Sequence, residues 1–158
     1  MRIVIVGGVA GGMSAAARAR RLDETAEIVV LERGAHVSFA NCGLPYFVGG
    51  DIEQERSLLV QTPETLRAAL ALDVRTGSEV TAVDTAAKTV TVRTADGGYD
   101  LAYDALVLSP GASALRPPLP GLDSPRVHTL RTVEDAVALR SAVLDGARRA
   151  VGLGAGFI

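Results

Sequence analysis

The 158-residue chain has a single cysteine, Cys42, and the residue types around it suit redox chemistry. One cysteine cannot close an internal disulfide. Cys42 is therefore a buried apolar residue, a reactive thiol or an intermolecular partner. It follows Asn41 and precedes Gly43, with Pro45 three residues on. The pattern predicts a short helix over 42–48, closed by Gly49-Gly50. The free N–H groups at a helix start favour a thiolate over a thiol. A lone cysteine without other signals is more often inert core. Here the polar, glycine-flanked surroundings weigh against that alternative.

A second constellation lies at the N-terminus, where Gly7-Gly8-Val9-Ala10-Gly11-Gly12 follows the β-branched run at 2–6. A glycine-rich turn between a strand and a helix offers backbone N–H groups and a helix N-terminus to a pyrophosphate. On the G-x-G-x-x-G template the three positions are Gly7, Val9 and Gly12, so a side chain stands at the middle position. Gly8 and Gly11 are candidates to shift the turn and compensate. Glu32, at the end of the next strand, stands where a carboxylate takes ribose hydroxyls. It would repel a 2′-phosphate, which argues against NADP at this site but does not separate NAD from FAD. The plainer alternative for Glu32 is a charged strand end.

Ser14, Arg18 and Arg21 fall at i, i+4 and i+7 and share one helix face. Two guanidinium groups and a hydroxyl there suit the phosphates of a large anion, while the alternative is an ordinary solvated face. His36 and His128 have no partners at metal-ligand spacing, and no Ser-His-Asp arrangement can be assembled. Tyr46, Phe39 and Phe47 read as local packing.

The elements that must position these groups follow an α/β order. A strand at 2–6, a helix over 13–22 and a strand at 27–32 begin a doubly wound, Rossmann-like parallel sheet. Thr62 and Pro63 open another helix. From Asp73 the pattern turns to strands. Those at 79–84, 88–94 and 99–102, with Asp96-Gly97-Gly98 as a hairpin turn, predict a small antiparallel meander laid over the main sheet. A buried strand returns at 106–108. Pro117, Pro118, Pro120 and Gly121 mark a rigid connection. A short strand near Val127, a helix over 133–144 capped by Thr132, and a new strand at 150–153 complete the chain.

The bulk properties fit one domain with a real core. Hydrophobic residues are 48% and the net charge is −2, which gives no reason to expect nucleic acid or an anionic membrane as partner. The apolar run at 1–17 is broken by four glycines and reads as strand-turn-helix, not as a leader. No run reaches the ~18–20 apolar residues of a membrane span. The expected compartment is the cytoplasm.

Ser38-Phe39-Ala40-Asn41-Cys42-Gly43-Leu44-Pro45-Tyr46 resembles the active-site segment of the coenzyme A-disulfide reductases and their NADH oxidase, NADH peroxidase and persulfide reductase relatives. These form the single-cysteine branch of the pyridine nucleotide-disulfide oxidoreductase superfamily. Residues 7–21, the Tyr-Asp…Leu-Ser-Pro-Gly element at 103–111 and residues 129–133 extend the likeness along essentially the whole chain. Such proteins often depart from the middle glycine, as Val9 does.

The resemblance implies an FAD/NAD(P)-binding fold. It implies FAD contacts from Gly7, Gly8, Val9, Ala10, Gly11, Gly12, Glu32, Arg33, Asn41, Cys42, Val80, Ser109, Pro110, Gly111 and Ala112. Cys42 would be the catalytic residue, and Ser14, Arg18, Arg21, Ser38 and Asn41 match positions that hold coenzyme A. Leu70 departs from the pattern, standing where those enzymes can place a basic residue, which makes coenzyme A less secure as substrate. The implied activity passes a hydride from NAD(P)H to FAD, and electrons then reach an oxidised sulfur at Cys42. That sulfur is a mixed disulfide, a persulfide or a sulfenic acid. The implied partner is a small thiol or disulfide, with a homodimer for the full-length enzyme.

Gly154-Ala155-Gly156-Phe157-Ile158 looks like the opening of a second dinucleotide fingerprint. The expected organisation is an FAD-binding domain over 1–148 and the beginning of an NAD(P)H-binding domain over 149–158. On this reading the chain is a fragment not expected to turn over by itself. Two alternatives stay open at this stage: a non-catalytic flavin- or adenine-nucleotide-binding module, and a thiol redox switch that works without flavin.

Overall fold

The computed structural model describes residues 1–154. The expected second fingerprint falls largely outside them. The chain divides into two compact units, one formed by Met1–Ala40 with Leu59–Ser113, the other by Asn41–Leu58 with the chain from Ala114 onward.

The first unit is built on a four-stranded parallel sheet in the order β3-β2-β1-β7, comprising β1 (Arg2–Val6), β2 (Glu27–Leu31), β3 (Asp73–Arg75) and β7 (Ala105–Leu108). Its central strands are β-branched runs buried on both faces, the pattern parallel sheets require. Val4, Ile5, Val29 and Val30 are fully buried. Register aligns Val6 with Leu31 on one side and with Leu108 on the other. Three strand ends thus meet at one edge of the sheet, where ligands of doubly wound folds bind.

Helices α1 (Ala10–Leu22) and α3 (Pro63–Leu70) supply one layer. Met13, Ala16 and Leu66 pack there with Ile3, Ile5, Ile28 and Val30. Thr62 caps α3 through a reciprocal bond pair with Thr65, and Pro63 fills the first position, as the sequence predicts. Arg20 ties α1 to the end of α3, donating to the Leu70 and Ala71 carbonyls. Leu70 itself packs against the core.

The other face carries the antiparallel meander β4 (Glu79–Asp84), β5 (Thr89–Thr94) and β6 (Gly97–Ala102). Period-two alternation turns Val90 and Val92 inward, where they meet Val4, Val29 and Leu31. Arg75 links the two sheets. Its guanidinium pairs with Asp73 at 2.6 Å and donates to the Tyr99 hydroxyl at 3.0 Å.

The second unit holds α2 (Leu44–Gly49), a 3-10 turn at Glu55–Leu58 and α4 (Val133–Leu144). Its buried residues are Leu44, Phe47, Leu58, Val133 and Ala136. Thr132 caps α4 through a capping box with Asp135.

Four expectations need correction. Gly97 and Gly98, expected in the hairpin turn, are the first residues of β6 and pair with Thr94 and Arg93. Helix α1 begins at Ala10, not Met13, so the last two glycines form its first turn. No strand forms near Val127. The prolines and turns at 117–127 leave its N–H bonded to Ser124 in a local turn. Among the described residues, 150–153 form no strand either. Val151 and Leu153 are exposed there with no neighbouring strand to pair with.

Candidate functional site

The glycine turn is shaped by close approach. Gly7 adopts φ +100°, and a Cβ there would drive into the Ser109 carbonyl. A Cβ on Gly12 would collide with the Gly7 carbonyl. Gly11 runs beside the Ser109 hydroxyl, with only 2.5 Å available to a Cβ. Only glycine allows α1 to begin this near β7. A Cβ on Gly8 would lie 2.8 Å from Val37 and 3.1 Å from the Glu32 Cβ. Gly8 is thus packed between Val37 and Glu32, whereas Gly11 is exposed beside the Ser109 hydroxyl. Val9 occupies the N-cap of α1, where no close approach demands a glycine. No side chain caps that helix start, which leaves its first-turn N–H groups available to an anion.

Glu32 follows β2 and is 9% exposed. One carboxylate oxygen accepts from the Gly8 N–H at 2.7 Å and the other from the Gly34 N–H at 2.8 Å. Each oxygen keeps a further lone pair for a hydroxyl. This carboxylate joins the glycine turn to the loop after β2. Beside it opens a pocket of about 100 Å³ lined by Gly7, Glu32, Arg33, Ser78, Val80 and Pro110, among others. This is below the ~300–1,000 Å³ of a complete small-molecule site.

The structure therefore brings together the predicted Gly7, Gly8, Glu32, Arg33, Val80, Ser109 and Pro110. Ala10 opens α1 beside the turn and is exposed. Gly111, at φ +74°, and Ala112 are exposed just beyond. Ser78 and Glu79 also line the pocket and escaped the sequence reading. Nothing in a serine at a strand entrance signals that it is 4% exposed and bonded through its N–H to the Glu32 carbonyl.

Ser14, Arg18 and Arg21 are all exposed on α1. Arg21 donates back to the Ala17 carbonyl at 3.2 Å. Ser38 takes φ +48°, unusual for a residue with a side chain. Its N–H donates to the Gly8 carbonyl at 2.8 Å and its carbonyl accepts from Val60 at 3.0 Å. With the bridge between Phe39 and Leu59, these bonds close the base of the excursion that leaves and rejoins the first unit.

Asn41 and Cys42 belong to the second unit. They lie in a 3-10 turn, Asn41–Gly43, that leads into α2. Helix α2 begins at Leu44, so Cys42 stands ahead of the helix and not at its first position. Pro45 occupies the first turn and Gly50 closes the helix at φ +94°, as expected. The Cys42 thiol is free and exposed, which removes the inert-core alternative. Phe47 is buried as expected, whereas Tyr46 is 58% exposed and is not a packing residue. The described residues hold no group of His, Cys, Asp or Glu able to bind a metal. No described helix is long and apolar enough to cross a membrane.

A doubly wound parallel sheet with a crowded glycine turn after its first strand and a carboxylate after its second defines a dinucleotide-binding protein of the FAD/NAD(P) class. Residues 1–158 match the family described as pyridine nucleotide-disulphide oxidoreductase, and the chain belongs to that family. It is 39% identical over 160 residues to a coenzyme A disulfide reductase of Staphylococcus haemolyticus, covering 99% of this chain and 36% of the relative. Among solved structures, the reduced Bacillus anthracis CoADR-RHD is 46% identical with a TM-score of 0.88, covering 91% of this chain and 26% of that one. An NAD-dependent persulfide reductase from A. fulgidus is 35% identical with a TM-score of 0.89, covering 92% of this chain and 28% of the other. The chain spans about a third of the length of the curated relatives it matches (36%).

Proposed function

We propose that this chain supplies the flavin-binding and thiol-bearing portion of an FAD-dependent NAD(P)H oxidoreductase that reduces a small disulfide of coenzyme A type through Cys42. One observation carries the reading: the only cysteine of a pyridine nucleotide-disulphide oxidoreductase chain is exposed in the turn that opens α2. Residues 1–148 form the FAD-binding portion on this reading.

The residues present fit the adenosine diphosphate half of FAD. The cradle at Gly7 and Gly12 has no space for a Cβ, the start of α1 is uncapped, and the Glu32 carboxylate borders the pocket with lone pairs to spare. In this role the α1 N–H groups hold the pyrophosphate, Glu32 accepts from the ribose hydroxyls, and Val80 and Pro110 wall the pocket. FAD, when bound, supplies the two-electron link between a nicotinamide and sulfur. Cys42 contributes the nucleophile. Its thiolate attacks one sulfur of the substrate disulfide, the S–S bond breaks, and one thiolate leaves while the other half stays attached to Cys42. Returning two electrons to that mixed disulfide releases the second thiolate. Ser14 and Arg18 share an exposed face of α1 suited to substrate phosphates. Likeness to the persulfide reductase makes a persulfide the second substrate to try.

The test uses the 158-residue chain mixed with excess FAD, separated by gel filtration, and then treated with coenzyme A disulfide. Retained flavin absorbance and a coenzyme A adduct on Cys42, lost in Cys42→Ser, are expected. Colourless protein with an unmodified thiol would overturn the proposal.

A further inference from the structure

Cys42 lies on an excursion that leaves the first unit after Ala40 and rejoins it at Leu59. Helix α2, the core of that excursion, has six residues. So short a helix is marginal by its own hydrogen bonds, and something from outside it must hold it in place. Arg140, on α4, meets that need. One of its terminal nitrogens, Nη1, donates to the Phe47 carbonyl at 3.0 Å and to the Ile52 carbonyl at 2.6 Å. Its guanidinium also stacks on the Phe47 ring, 4.4 Å from the centroid.

The Phe47 carbonyl belongs to the last turn of α2 and already accepts from Gly50. Ile52 lies in the following turn, and its own N–H donates to the Tyr46 carbonyl. A single cation thus joins both sides of the C-terminal end of α2, where positive charge is favoured. Phe47 is 5% exposed and Arg140 half-buried, so the stack is shielded from water on the ring side.

We propose that Arg140 is the positioning residue of the Cys42 turn: from α4 it fixes the end of α2, and through that six-residue helix it sets where the thiol stands. This rests on the reading of Cys42 as the reactive sulfur. Both hydrogen bonds come from one nitrogen, so a lysine amine can reproduce them without the planar stack.

The test compares the parent chain with Arg140→Ala and Arg140→Lys, using two readouts. The first is amide hydrogen exchange across 44–52, with β1 and β2 as internal controls for global stability. The second is the rate of thiol–disulfide exchange between Cys42 and oxidised glutathione. In Arg140→Ala, exchange at 44–52 is expected to accelerate about tenfold or more while β1 and β2 hold their protection. The Cys42 rate should change severalfold, and Arg140→Lys should restore most of both. Unchanged protection at 44–52, or a Cys42 rate within twofold of the parent in Arg140→Ala, overturns the proposal. If Arg140→Ala unfolds the whole chain, Arg140→Met takes its place. It keeps an unbranched apolar stem, removes both carbonyl bonds, and is held to the same two thresholds. A parent Cys42 inert to glutathione disulfide would instead count against the reading of the thiol, and the amide result would still decide whether Arg140 anchors α2.

Discussion

Removing the Glu32 carboxylate tests the structure most directly, because it severs a connection the glycine turn needs even without ligand. Its two oxygens accept from Gly8 at 2.7 Å and Gly34 at 2.8 Å. A hydrogen bond to a charged group contributes roughly 1.5–3 kcal/mol, and a buried donor left unpaired incurs about its full desolvation cost. The Gly8 bond is buried and the Gly34 bond only partly so, so water can replace the second but not the first. Glu32→Ala should therefore lose about 3–5 kcal/mol, which is a large share of a domain's ~5–15 kcal/mol. Glu32→Gln keeps one acceptor oxygen for Gly8 and sets an amide NH₂ against Gly34, for a loss of about 1–2 kcal/mol. Urea unfolding of the FAD-free chain, followed by far-UV circular dichroism, measures both. The order parent, Gln, Ala should appear in the midpoints at constant slope. A Glu32→Ala protein within about 1 kcal/mol of the parent would show that the carboxylate does not hold the turn together.

Two further outcomes follow from the geometry. Gly12→Ala should destabilise by about 3 kcal/mol, since its Cβ meets the Gly7 carbonyl, while Val9→Gly should stay within about 1 kcal/mol because the N-cap of α1 tolerates glycine. Equal losses in urea would refute this assignment of the crowded positions. The hydrogen bond and charge of Arg93, 2.6 Å away, hold the Glu79 carboxyl below the ordinary glutamate range. A depressed carboxyl stabilises above its unfolded value and loses that contribution as pH falls through its folded one. Glu79→Gln should therefore be slightly less stable than the parent at neutral pH, with the gap closing in acid. A gap unchanged down to strongly acidic pH would refute the pairing.

The Thr62 and Thr132 caps, the Gly50 stop, the alternation of β5 and the apolar run of β1 were all legible along the chain. Each depends on neighbours within about one helical turn or one strand. The start of α1 was not. Glycines lower helix propensity and made residues 10–12 read as turn, yet α1 begins at Ala10, and the Gly7 carbonyl leaves no space for a side chain at position 12. Ser78 at the pocket was hidden for the same reason, since its place comes from pairing with Glu32 across β2 and β3.

What the order of residue types determined by itself was the doubly wound sheet with its meander, the glycine turn, the carboxylate after β2 and a short helix next to the lone thiol; that the thiol stands ahead of that helix came from the structure. Folding in three dimensions decided which groups hold them. Glu32 meets Gly8 across 24 positions and Arg140 meets Phe47 across 93. No periodicity or cap signal spans such separations, because a hydrogen bond between distant segments exists only once the sheet or the helix pair has brought donor and acceptor within ~3 Å.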